Sequence, residues 1–168
     1  MGLRAVLVGS AFQLLLIPFF GALSDRYGRR PVYAFGAVSA AVWAFAFFPL
    51  LDTANTTVIV LATVVALATH AAMYGPQAAF IAEMFSTRLR YSGASMGYQI
   101  AGILGGALAP IVSIKLVQVT GSAFAVSVYV LFALALTLVA LLFAPETAHS
   151  DLHEPDVVDR APERTPTT

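Results

Sequence analysis

The chain has 168 residues, 59% of them hydrophobic and 11% charged, with a formal net charge of zero and a mean hydropathy of +0.83. Soluble domains sit nearer half apolar and a quarter charged, so the composition favours a membrane protein. There is no basic excess for nucleic acid, and the absence of cysteine excludes disulfides, thiolate metal sites and cysteine nucleophiles.

The N-terminal Met1-Gly2-Leu3-Arg4 is barely basic, and no clear small-residue cleavage site follows the first apolar run, so a secretory signal is not expected. Residues 5–23 form the first expected span, long enough at about 1.5 Å per residue to cross a core of about 30 Å. Pro18 is expected to bend it. Its amide, Gln13, either bonds to a neighbouring helix or contacts a substrate. The turn that follows, GALSDRYGRRP, concentrates Asp25, Arg26, Arg29 and Arg30 between Gly21 and Pro31. By the positive-inside rule it is cytoplasmic.

Residues 32–51 form an uncharged second span rich in Phe and Trp, expected to face lipid. The turn DTANTT carries no positive charge and belongs outside. The third span, 58–84, is too long for one straight crossing, at roughly 40 Å. Gly75-Pro76 is expected to kink it. Thr63, His70, Tyr74 and Gln77 are spaced by seven, four and three residues, which places them on one helical face. A polar stripe at membrane depth faces protein or a water-filled cavity. His70 reads either as a functional group or as a side chain satisfied by a neighbouring helix. Glu83 lies just inside a second basic turn that holds Arg88 and Arg90, where it reads as a partner in a structural or gating ion pair. Ser92 is expected to cap the next helix.

The fourth span, 94–117, carries small residues every four positions: Gly93, Gly97, Ala101, Gly105 and Ala109, with Gly102 and Gly106 repeating the interval. Such a ladder lets another helix approach closely. Pro110 is expected to bend its outer part, and Tyr98 and Gln99 add polar groups near its inner end. The fifth span, 124–144, is almost uniformly apolar. From Pro145 the composition turns proline-rich and charged, so residues 145–168 are expected to form a disordered tail. The two inner turns hold five arginines. The spans therefore read N-terminus out, C-terminal tail cytoplasmic.

Three patterns resemble one family. G-A-L-S-D-R-Y-G-R-R, from Gly21 through Gly28 to Arg30, is similar to the loop motif of the major facilitator superfamily between helices 2 and 3 and between helices 8 and 9. The run from Gly75 to Gln99 resembles the helix 10 to helix 11 region of the metabolite:proton symporters, which include bacterial shikimate, 2-oxoglutarate, citrate and proline/betaine carriers. Pro145-Glu146-Thr147 resembles the motif after helix 12. The resemblance implies an all-α membrane protein, five transmembrane helices (8 to 12) of an incomplete twelve-helix fold. That fold holds substrate between two six-helix halves near the midplane. It also implies a multi-pass protein of a bacterial-type inner membrane, in contact with the lipid bilayer and completed by the missing N-terminal helices or another membrane chain.

The implied function is proton-coupled uptake of a small carboxylated or zwitterionic metabolite, with this chain inactive alone. His70, Tyr74, Gln77, Thr63, Gln13, Tyr98 and Gln99 are the candidate substrate and proton pathway. The implied cytoplasmic gate is Gly21, Asp25, Arg26, Gly28, Arg29, Arg30, Glu83, Arg88 and Arg90. No mid-depth carboxylate is present, so acidic coupling groups would lie in other helices. The alternative is a non-transporting scaffold subunit packed through the glycine ladder. No paired aspartates, Ser/His dyad or HExxH motif supports an enzyme, and no cofactor, metal or nucleic acid is expected.

Overall fold

A computed structural model describes residues 2–85 and 89–147. These form helices α1 (Gly2–Tyr27), α2 (Arg29–Asp52), α3 (Thr56–Glu83), α4 (Arg90–Ala101), α5 (Leu108–Thr120) and α6 (Phe124–Phe143). A π-helical stretch, Gly102–Ala107, joins α4 to α5, so Arg90–Thr120 is one helix of 31 residues. Five helices are thus long and apolar enough to cross a membrane. Their bounds extend the expected spans by a few residues at most ends, because the flanking polar residues continue the helical ladder into the interface.

Helix α3 is the centre of the bundle. It packs chiefly against α1 on one side and α2 on another, and α6 lies on α2. Gly75 and Gly36 permit these two packings. A Cβ built on Gly75 would lie 2.7 Å from the Ile17 carbonyl oxygen and 2.8 Å from the Gly21 nitrogen, both backbone atoms of α1. One built on Gly36 would lie 2.9 Å from the Met73 nitrogen on α3. Bare glycine surfaces let these backbones touch. The Gly75-Pro76 pair, expected as a kink, thus also serves as a contact point, and α3 continues through Pro76.

Among the described residues, two side chains bond a carbonyl of a neighbouring helix away from the helix ends. Trp43 Nε1 donates to the Ala62 carbonyl across α2 and α3 at 3.1 Å. Ser127 Oγ donates to the Ala44 carbonyl from α6 to α2 at 3.0 Å. The second span is therefore not simply a lipid-facing helix: Val32, Gly36, Ala37 and Ala44 are buried, while Phe35 and Val42 are exposed.

Two turn expectations change. Helix α4 begins at Arg90, without a side-chain cap, so Ser92 lies inside the helix. Asn55 caps α3 instead, its side chain accepting from the amides of Thr57 and Val58. The irregularity around Pro110 takes the form of the π stretch just before it. Proline has no N–H for the Gly106 carbonyl and crowds it, and glycine-rich backbone readily shifts to the wider pattern.

The glycine ladder is the largest departure. No residue of α4, the π stretch or α5 is buried. A Cβ on Gly97, Gly102, Gly105 or Gly106 would meet nothing within 4 Å. Helix α4 touches α3, and α5 touches α6. The glycines from Gly97 onward therefore have no partner among the described residues, whereas a Cβ on Gly93 would collide with the Phe85 ring. Small-residue spacing records that a helix can be approached, and no other described residue approaches these glycines.

Candidate functional site

The densest polar structure forms where α1 ends, α2 and α6 meet, and α3 ends. The α1–α2 turn needs Gly28. Its φ is +106°, and a Cβ there would lie 2.9 Å from Glu146 Oε2, so both conformation and space require glycine. This turn places Arg29 at the first position of α2, only 8% exposed. Its Nε and Nη2 donate to the two oxygens of Glu83 on α3, at 3.3 and 3.0 Å. Its Nη1 donates to Ser24 Oγ at 2.7 Å and pairs with Asp25 at 2.5 Å.

The C-terminal segment closes the cluster. Glu146 accepts the backbone amides of Arg29 and Arg30 at 2.8 and 3.0 Å. A carboxylate there complements the orphan N–H groups and positive dipole end of α2. Thr147, 5% exposed, donates its hydroxyl to Glu83 Oε2 at 2.6 Å. Residues 145–147, expected as the start of a tail, are thus docked onto the bundle; 148–168 lie outside the described residues. The Glu83 side chain is 14% exposed and that of Asp25 64%. The Arg29–Glu83 pair is therefore the desolvated core of the cluster, and Asp25 is its solvated edge.

The other expected gate residues do different things. Arg26 lies over the Tyr27 ring, 5.7 Å from its centre. Arg30 donates to the Leu142 carbonyl at 3.4 Å. Arg90 donates through Nε to the Ala82 carbonyl at 3.1 Å, so it satisfies the end of α3 and takes no part in the ion pairs. Gly21 offers its carbonyl to Ser24 Oγ at 2.7 Å. Arg88 lies outside the described residues. Ser24, Glu146 and Thr147 were not expected in the cluster. The Pro145-Glu146-Thr147 motif was the signal for the last two, whereas Ser24 carries none, because a serine beside a charged turn is unremarkable.

Deeper in the membrane, the expected polar stripe divides. Gln13 Nε2 on α1 donates to His70 Nδ1 on α3 at 2.7 Å. With Nδ1 accepting, the ring proton sits on Nε2. Tyr74 stacks on His70 with centroids 5.5 Å apart, and is 50% exposed. These three residues form one group, with His70 and Tyr74 exposed and Gln13 half-buried. Thr63 is not part of it. Its hydroxyl donates to Ile59 of its own helix at 2.8 Å, and its methyl faces Gly9 of α1. Gln77 lines a separate cavity of about 210 Å³ with Tyr33, Phe80 and Thr137. Tyr98 and Gln99 line a third, of about 340 Å³, with Arg90 and Ala82. Tyr98 of α4 lies near both Tyr33 and Tyr74. Tyr33 was missed because its helix reads as peripheral from sequence.

The chain is thus a bundle of five helices long and apolar enough to cross a membrane, with exposed polar groups along it and a desolvated ion cluster at one end. The chain belongs to the Major Facilitator Superfamily, whose family profile matches residues 1–165. It is 35% identical to an inner membrane metabolite transport protein of Escherichia coli over 139 residues, 82% of this chain and 31% of that protein. It is 36% identical to the shikimate transporter of Escherichia coli over 128 residues, 75% of this chain and 29% of that protein. Against the ectoine/proline transporter of Corynebacterium glutamicum it is 30% identical over 138 residues, 82% of this chain and 27% of that protein. The chain thus spans about 30% of the length of these relatives. No solved structure matches it. The five spans are part of a major facilitator fold, and the family is one of transporters and not of enzymes.

Proposed function

We propose that this chain supplies the C-terminal spans of a proton-coupled carrier for a small carboxylated or zwitterionic metabolite, and that it transports nothing without further helices. The observation that carries this reading is the group of Gln13, His70 and Tyr74 between α1 and α3, whose His70 and Tyr74 are exposed. The names of the relatives support the substrate class: shikimate is a carboxylate, and proline and ectoine are zwitterions. In a complete carrier, His70 Nε2–H and the Tyr74 hydroxyl would donate to a substrate carboxylate. On taking up the coupled proton the imidazole would carry an N–H at Nδ1 as well, and the Gln13 amide would turn its oxygen to accept it. At the other end of the helices, Arg29, Glu83, Asp25 and Thr147 would latch the inner ends of α1, α2, α3 and α6 while the site faces outward. The positive-inside rule, applied to the arginine-rich turns, supports a cytoplasmic side for this end, for Arg88 and for the residues after 147 in a bacterial inner membrane.

His70 tests the reading. In a complete carrier containing these spans, His70→Ala should lower proton-driven uptake in proteoliposomes by about 10²-fold or more at matched protein level, the scale of a positioned proton-transfer group. His70→Gln should regain part of substrate binding, since an amide still donates a hydrogen bond, but should not regain the pH dependence. If His70→Ala and wild type give equal rates and the same pH curve, His70 has no part in transport. One observation favours a second reading. The open ladder on α4–α5 suits a non-transporting subunit that packs against another membrane chain.

A further inference from the structure

We propose that the groove between the first turn of α2 and the last turns of α6 binds an anionic phospholipid, its phosphate on Arg30 and one acyl chain against the apolar wall. The two helices run antiparallel here, so the amino end of α2 lies beside the carboxyl end of α6. Between them is a groove of about 440 Å³ whose walls include Pro31, Ala34, Leu138 and Leu142. Pockets of about 300–1,000 Å³ suit small-molecule and lipid fragments. Arg30 stands at its polar end. Among the described residues its guanidinium makes one hydrogen bond, a long one of 3.4 Å to the Leu142 carbonyl. That bond anchors the side chain at the rim and leaves further donors in a fork that matches a phosphate.

Glu146 also lines the groove, but its two oxygens accept the Arg29 and Arg30 amides. Its charge is thereby set against the positive end of the α2 dipole. The rim keeps a net attraction for an anion. Apolar walls below a cationic rim, at the end of two spanning helices, match the layout of a lipid: acyl chain in the hydrocarbon, phosphate at headgroup depth.

The test is native mass spectrometry of the purified full chain in detergent, with phosphatidylglycerol or phosphatidylcholine of identical acyl chains. Wild type should retain phosphatidylglycerol about five-fold more than phosphatidylcholine, the scale of one arginine facing anionic lipid. Arg30→Gln should abolish that preference, while Arg26→Gln, which removes an arginine outside the groove, should keep it. Ala34→Trp should fill the groove and lower retention of both lipids. Inorganic phosphate alone should not displace the lipid. Circular dichroism checks the helicity of each variant. If Arg30→Gln loses helicity, the Ala34→Trp arm decides. An undiminished preference in folded Arg30→Gln, equal loss in Arg26→Gln, wild-type retention in Ala34→Trp, or displacement by phosphate would each overturn the proposal.

Discussion

Replacing Arg29 by alanine is expected to destabilise the folded chain by about 3–5 kcal/mol, the cost of removing one member of a buried ion pair. Arg29 is 8% exposed and holds both oxygens of Glu83. Without it, a carboxylate that is 14% exposed keeps the Thr147 hydroxyl but has lost its compensating charge. The contact with Asp25 contributes little to this figure, because that carboxylate is 64% exposed and well screened by solvent. The loss should therefore track Glu83. Pairing Arg29→Met with Glu83→Leu should recover most of the stability, since two apolar side chains leave no buried charge. Equilibrium unfolding in mixed micelles measures both variants. An Arg29→Ala chain as stable as wild type would mean that water reaches the pair and that the cluster is no desolvated latch.

The second large effect concerns glycine. Gly75→Leu should disrupt the α1–α3 interface, at a cost of about 1–3 kcal/mol or more, because the new side chain would meet the α1 backbone at Ile17 and Gly21. Backbone cannot swing aside as a side chain can. Gly105→Leu should change the stability of this chain by less than about 0.5 kcal/mol, as for a substitution on an open surface, since nothing lies within 4 Å of it. The same unfolding measurement compares them. Equal losses in the two variants would show that the ladder is packed and that the Gly75 contact is not special.

These two results mark where sequence reasoning succeeds and where it stops. The spans are legible because burying apolar residues in lipid needs long uninterrupted runs. Arg29 and Glu83 are legible because charge beside such runs demands a partner. Ser24 and Thr147 are not, because a hydroxyl costs little wherever it sits and so leaves no trace in the pattern. Glycine spacing alone does not locate the contacts. From Gly97 to Gly106 the ladder glycines meet no described residue, whereas the unpatterned Gly36 and Gly75 make close backbone contacts. A repeat shows which face can pack, and the position of the opposing helix decides whether it does. The polar residues of α3 share a face on a helical wheel, yet His70 turns to Gln13, Thr63 bonds its own backbone and Gln77 lines another cavity. Each side chain answers to its own nearest partner, which the spacing along one helix does not encode.

Whether these five spans complete a carrier is decided by co-expressing this chain with the segment of the Escherichia coli shikimate transporter that precedes the matched region, then measuring shikimate uptake into proteoliposomes under an inward proton gradient. The two pieces should co-purify and give uptake that a protonophore abolishes, while either piece alone gives none. Stable co-purification of two folded pieces with no uptake under any gradient would contradict the carrier reading and leave the scaffold reading in its place.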